Sequence, residues 1–435
     1  MLLVLTPQIT PRLTFIFNFI FSGILKTEVS FTSDEEYFQA YTAPKLIYGD
    51  SNIQDALFFQ RTGLLHENDI SVKKIEFIEW DGQKVFFPVK AGALPFDPFA
   101  AAFYLVSRYE EYLPHVKDRH KRFNPEGSVA WKGQFLDKPV VNIWANAIRK
   151  LLSEKFSNYT FPLPSFTFTP TIDIDNAFAF QHKGFLKNSY KIIKHVLAFQ
   201  PKALLERLMV LARLKRDPYD SYKKQEYIHA KYNLWPVYFI LLGDKGKFDR
   251  NLSFRNTSYR NLINRLKNTG ALGIHPSYNS NKNAARLLEE KKRLENIARV
   301  EIVKSRQHYI KLSFPSTYQN LIAMGIKEDF SMGYPSVCGF RAGTSTPFYF
   351  YNLEKEAVTT LKVFPFAFMD TTLKVYLKKR SKEILPYVKE MIGSVKEYGG
   401  NLIFIFHNES LGTGRRWKHW EDMYECIIKL CLKEE

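Results

Sequence analysis

The sequence predicts an α/β protein: a (β/α) barrel of about seven strands in the second half, behind a smaller α+β domain. Three observations predict it. The chain has 435 residues, too many for one ordinary domain, and 45% apolar with 15% aromatic residues can fill sizeable cores. From residue 166 onward, short apolar runs alternate with amphipathic or charged helical stretches, the pattern of a parallel sheet. Several of those runs end in a polar residue able to do chemistry, as strands do at the active face of a barrel. The expected domains are residues 1–155 and 166–435, joined through "FPLPSF" at 161–166.

The opening "MLLVLTPQITPRLTFIFNFIFSGIL" is apolar, but Pro7, Pro11 and Arg12 interrupt it and no charged region precedes it. A strand followed by a buried helix is expected there, rather than a secretory signal. "KKIEFI" and "KVFFPV" read as strands around the turn "WDGQ". "LPFDPFAAAFYLVSRYEEYL" is apolar on most sides, with Asp97 and Pro98 suited to the N-cap and first helical position, so it predicts a buried helix. Arg108, Glu110 and Glu111 at its end are expected to be ion-paired. In the second half the strand runs are 166–173, 236–242, 272–275, 300–303, 338–341, 364–369 and 402–406.

No stretch approaches the ~20 apolar residues of a membrane span. Three cysteines, Cys338, Cys426 and Cys431, make no disulfide framework and no paired zinc motif. They fit a reducing compartment, so the cytoplasm is expected. Any metal ligands should then be oxygen and nitrogen. The net charge is +18, and Lys183 to Arg250 hold 15 Lys and Arg against 6 Asp and Glu. In that segment "KIIKHVLAF" and "KALLERLMVLARLKR" set apolar residues at helical spacing among basic ones. The ordinary expectation is two surface helices covering a core. The alternative is a basic hairpin on an anionic membrane, which would place the protein peripherally on the inner membrane. No nucleic-acid recognition motif is present, so no such partner is expected.

The polar residues at the strand ends are Asp173 and Asp175 in "TIDID", His275 in "GIHPSYNS", His308 in "SRQHYI", Arg341 in "GFRAG", Asp370 in "FMDTTL" and His407 in "FIFHNES". Carboxylate plus imidazole is the usual ligand set of a catalytic zinc or similar ion with an open position. A second carboxylate can take a proton from water, and a second imidazole can give one to a leaving group.

These motifs, in order, resemble the polysaccharide deacetylase family, metal-dependent hydrolases that remove N- or O-linked acetyl groups from glycans on a deformed (β/α) barrel. The resemblance spans about 166–410. It implies Asp173 as base and Asp175 as metal ligand, although Ile174 separates them. "PVYFILLG" matches the second strand. "HPSYN" is similar to the metal motif, with His275 as ligand, but Asn279 stands where a second His is expected. "GFRAG" implies Arg341 as the residue that orients the base. Asp370 and His407 match the tethering carboxylate and the acid. Either His308 replaces the missing imidazole, with Asn279 as a substitute ligand, or the site is degenerate and no longer catalytic. Asp249, Arg250, Tyr278 and Asp329 are the candidate substrate contacts. The implied cofactor is a divalent ion, zinc, and the implied partner a carbohydrate or lipid-linked glycan of the cell envelope. The first half resembles a module found ahead of such domains in some bacterial proteins.

Overall fold

The computed structural model describes residues 1–53 and 56–433. The chain forms two compact units, and it passes between them repeatedly. The first comprises Met1–Phe168, Ile310–Phe368 and Lys389–Ile403; the second comprises Thr169–Tyr309, Met369–Val388 and Phe404–Glu435.

The first unit opens on a parallel four-stranded sheet of β1 (Leu2–Leu5), β2 (Val29–Thr32), β3 (Lys45–Gly49) and β4 (Leu57–Gln60), in the order β2-β1-β3-β4. The apolar opening is therefore a strand, followed by a helix from Pro11 to Asn18, and both are buried. Arg12, buried within that helix, is neutralised by Glu356 at 2.6 Å. β5 (Phe77–Trp80) and β6 (Gln83–Phe86) form an antiparallel hairpin. Its turn residues Asp81 and Gly82 both have positive φ, which the Asp-Gly pair tolerates. The helix Pro98–Val106, PFAAAFYLV, is apolar and buried along its whole length, and Asp97 satisfies its first turn by accepting from the amides of Phe99 and Ala100. Phe99 stacks on Phe17 at 4.0 Å. At its end Arg108 adopts a left-handed conformation and bonds Glu110 and Glu111 at 2.8 and 2.9 Å. These charges are buried, not on the surface.

The second unit is built on parallel strands: β7 (Phe166–Ile174) from Thr169 on, β8 (Val237–Ile240), β9 (Ala271–Ile274), β10 (Lys304–Ser305) and, beside β7, β11 (Gly400–His407) from Phe404 on. They lie in the order β10-β9-β8-β7-β11. β7 is buried on both faces from Pro170 onward, so Thr171 and Asp173 need partners inside the protein.

Among the described residues the ladder is open, and no closed barrel forms. Three expected strands account for the difference. The run 300–303 lies just before the two-residue β10. Residues 338–341 form no strand: Gly339 sits at φ 135°, and the Phe340 amide is taken by the Leu136 carbonyl instead of a ladder partner. Of 364–369, only Phe368–Met369 pairs.

The two helices of the basic segment, Phe185–Leu197 and Pro201–Leu211, do not cover a core as the ordinary expectation had it. The first buries only Asn188, and the second only Arg207 and Val210. Among the described residues no helix is long and apolar enough to cross a membrane.

Candidate active site

Register brings the site together. Asp173 lies opposite Phe239, Ile240 lies opposite both Ile174 and Ile274, and Ser305 lies opposite Ile274. One step beyond this line the strands run out at Asp175, His275 and Arg306. The His275 amide bonds the Ile240 carbonyl at 2.9 Å and the Arg306 amide the Ile274 carbonyl at 3.1 Å, so the exits stay aligned.

Asp175, His275 and His308 each turn a ligand atom inward, and these atoms lie within 4.8 Å of one another. Proton bookkeeping shows what they fit. His275 Nδ1 lies 2.5 Å from the Arg306 carbonyl oxygen, which only accepts, so Nδ1 carries the proton. In that tautomer the Nε2 lone pair points at Asp175 Oδ1, 3.2 Å away. His308 repeats the arrangement, with Nδ1 donating to Asp249 Oδ1 at 2.8 Å and Nε2 3.5 Å from Asp175 Oδ2. Asp175 Oδ1 is buried and accepts no hydrogen bond among the described residues. Two imidazole lone pairs and a carboxylate facing one another make a donor set that suits a divalent cation such as zinc.

Protons otherwise take the cation's place. Burial, the largest influence on His308, lowers its pKa, but Asp175 and Asp249 outweigh it and hold the imidazole up at about 9. Burial raises Asp175, yet His308, His275 and His407 together drive it well below the usual carboxylate range.

Beside this cluster stand two further pairs. Asp173, buried to 2% exposure, accepts from Arg306 Nη1 at 2.8 Å, and its Oδ2 lies 3.8 Å from His275 Nε2. The same Arg306 nitrogen donates to Thr171 Oγ1 at 2.8 Å. Its guanidinium lies over the Phe239 ring at 4.4 Å. Asp370 holds His407 twice, accepting from the backbone amide and from Nδ1, each at 2.7 Å. His407 Nε2 is left 3.8 Å from Asp175 Oδ2. Burial works against a charge on His407, but Asp370 first, then Asp175 and Asp173, push its pKa well above the ordinary value.

Residues 2–157 match the Family of unknown function (DUF7033). No curated protein matches the chain. Among solved structures, a protein from Mycobacterium smegmatis described as a polysaccharide deacetylase is similar at 12% identity, over 63% of this chain and 86% of its own, with a TM-score of 0.41. The polysaccharide deacetylase Bc1974 of Bacillus cereus is similar at 10% identity, over 62% and 85%, with a TM-score of 0.28. The Xyl-CE4 domain of a multidomain xylanase from the hindgut metagenome of Trinervitermes trinervoides is similar at 10% identity, over 62% and 83%, with a TM-score of 0.29. Likenesses this distant leave the function to the site itself.

Several expected site residues fall elsewhere. The guanidinium on Asp173 is that of Arg306, not Arg341. Arg341 is committed to Glu111 by a two-pronged pair at 2.9 and 2.6 Å, because that buried carboxylate needs a countercharge. Asp249 is buried to 1% exposure behind His308 and orients that ring, so it is no substrate contact. Asp329 is fully buried and accepts from the Ser331 amide and hydroxyl, which removes it from the substrate as well. Asn279 is exposed and forms no cap; the following helix is capped by Asn283. Arg250 is exposed. Tyr278 is half-buried in a cluster with Phe248 and Tyr309, at ring distances of 4.3 and 5.4 Å.

The sequence reading missed three contributors. Arg306 stands two residues before His308, and that spacing at a strand exit was the available signal. Glu290, fully buried on the helix Ala284–Ala298, holds the "HPSYN" turn through the Ser277 amide and hydroxyl at 2.9 and 2.6 Å. Glu409, near His407 and Asp175, is a carboxyl whose pKa burial raises. Nothing in the sequence near Glu290 or Glu409 announced either.

Proposed function

We propose that the protein is a metal-dependent hydrolase that removes acetyl groups from a carbohydrate. The observation that carries this reading is the convergence of two imidazole lone pairs on Asp175, flanked by an Arg-held carboxylate and a carboxylate-held imidazole. Asp175, His275 and His308 would hold the ion, zinc being the natural choice for this ligand set. Bound there, it would supply Lewis acidity to an acetyl carbonyl and lower the pKa of water. Asp173, aimed by Arg306, takes the proton of the attacking water. His407, protonated and fixed by Asp370, gives a proton to the departing amine or alcohol. Arg306, not Arg341, orients the base.

The order of motifs along the chain supports acetyl transfer to water, and the Phe248–Tyr278–Tyr309 cluster supports a sugar, whose apolar face stacks on aromatic rings. Asn279 motivated the reading of a catalytically silent relative. Asp175 faces two imidazoles without it, which favours catalysis. The free thiols support a reducing compartment, and a lipid-linked cell-envelope glycan is the substrate form we propose.

Metal analysis of the purified protein and acetate release from N- and O-acetylated oligosaccharides test the reading. About one divalent ion per chain is expected, with Asp173→Asn and His407→Ala each lowering turnover by about 10²–10⁴-fold. A chain that carries no ion after dialysis against zinc, or variants as active as the parent, would refute it.

A further inference from the structure

The helical hairpin of the second unit is amphipathic in the reverse of the usual sense. On Phe185–Leu197, the residues Leu186, Tyr190, Ile193 and Leu197 recur at spacings of four, three and four, so they form one stripe. All four are exposed, Leu186 to 84% and Leu197 to 75%. Phe199, in the connection to the next helix, is 91% exposed. The one buried residue of the helix Phe185–Leu197, Asn188, is polar instead. Asn188 accepts from Arg207 Nη1 at 2.8 Å and donates to the Phe180 carbonyl at 3.2 Å, and Arg207 lies over the Phe180 ring at 4.4 Å. The hairpin is thus anchored through hydrogen bonds and a cation–π contact while its apolar stripe stays uncovered. An ordinary surface helix does the opposite.

Charge identifies the occupant. Lys187, Lys191 and Lys194 recur at spacings of four and three, a basic stripe flanking the apolar one. Between Lys183 and Arg216 there are nine Lys and Arg against a single acidic residue, Glu206. The strip continues toward the loop before the site. Lys187 is lowered by partial burial and then by the like charges of Lys245, Lys191 and Arg250, so these groups lie together. A second copy of this chain would set one such basic stripe against another, at a net charge of +18 per chain. An anionic lipid surface accepts the apolar stripe among its acyl chains and the lysines at its headgroups.

We infer that the hairpin 185–214 is the element by which this protein docks reversibly on an anionic membrane, with the Leu186–Leu197 stripe inserted and Lys187, Lys191 and Lys194 at the headgroups. The inference stands apart from the hydrolase reading, since docking needs neither metal nor turnover.

Cosedimentation of the full chain with phosphatidylcholine vesicles, with and without phosphatidylglycerol, tests it. Binding is expected with phosphatidylglycerol at low salt, and should weaken at high salt. The double substitution Ile193→Glu with Leu197→Glu should weaken it by at least about tenfold, and so should Lys187→Glu with Lys191→Glu. Because Lys187, Ile193 and Leu197 are exposed and Lys191 is only half-buried, the variants should keep the parent's thermal melt and its metal content. Three results would overturn the proposal: no binding at low salt, binding indifferent to both double variants, or a dimer in light scattering that the Ile193–Leu197 variant dissolves. Loss of metal or of activity in Asp175→Asn with unchanged vesicle binding would bear on the hydrolase alone.

Discussion

Arg306 carries the most leverage of any single side chain in the site. Its guanidinium is wholly buried and pairs with Asp173 at 2.8 Å. Replacing it with Met leaves a buried carboxylate without countercharge, a change that costs about 3–5 kcal/mol of stability. The acidic limb of the pH–rate profile should move to higher pH, with turnover falling far more than KM rises. Arg306→Lys, which keeps the charge, should restore much of the stability. Arg341→Lys should weaken the fold through Glu111 and leave the pH–rate limb in place; if Arg341 variants move that limb and Arg306 variants do not, the assignment is reversed. His308 makes a second prediction. Its folded pKa of about 9 exceeds the ~6.5 of an unfolded chain, so without metal its stabilising contribution is complete below pH ~6.5 and is lost as pH rises through ~9. A metal needs the neutral ring, so binding at pH 7 should release about one proton from this residue, with affinity climbing toward pH 9. Calorimetry in buffers of different ionisation enthalpy reads the proton count, and a count of zero at pH 7 would contradict it.

At the scale of elements, the turn after β9 is where a small change should have a large effect. Gly243 packs against that turn so closely that an added Cβ would lie 2.4 Å from the Ser277 Cβ and 3.2 Å from Glu290 Oε1. Gly243→Ala therefore pushes directly on the bonds by which Glu290 holds the turn that follows His275. Overpacking of this kind costs about 1–3 kcal/mol, and metal affinity should drop with it as His275 is displaced. An unchanged thermal melt and unchanged metal affinity would show that the turn yields freely. The strands themselves follow hydrophobic period and length, and β7, β8, β9 and β11 lie where their apolar runs lie. The two-residue β10 and the irregular 338–341 do not. Their backbone groups are satisfied by neighbours far along the chain, which no local pattern encodes.

For the whole molecule, the interleaving of the two units matters most. A cut at the Pro-rich 161–166 stretch is the natural choice from composition, yet the first unit also uses residues 310–368 and 389–403. Within it, Arg12 is paired with Glu356 and Glu111 with Arg341, each at 2.6 Å. Residues 1–165 expressed alone would leave Arg12 without its carboxylate, about 3–5 kcal/mol against a typical net stability of ~5–15 kcal/mol, and would leave Glu111 with Arg108 as its remaining arginine. The fragment should lack a cooperative melt and should bind hydrophobic dyes. A sharp two-state transition for the fragment would show that the later segments are dispensable to it.

What the sequence determined by itself is the chemistry at the strand exits. Asp173, Asp175, His275, Asp370 and His407 end or closely follow apolar runs, and the alternation of runs with helical stretches tells a reader that such ends gather along one sheet edge. That much is local, because it depends on period and on the polarity of the next residue. Tertiary structure alone decided the partners. It put Arg306 on Asp173 and sent Arg341 to Glu111, placed Asp249 behind His308 instead of at the substrate, and opened the ladder where a barrel was expected. It also turned the apolar stripe of Phe185–Leu197 outward. Each of these depends on which distant segment reaches a buried charge or a free backbone group first. A charge states only that it needs a partner, and the packing of the chain selects which one.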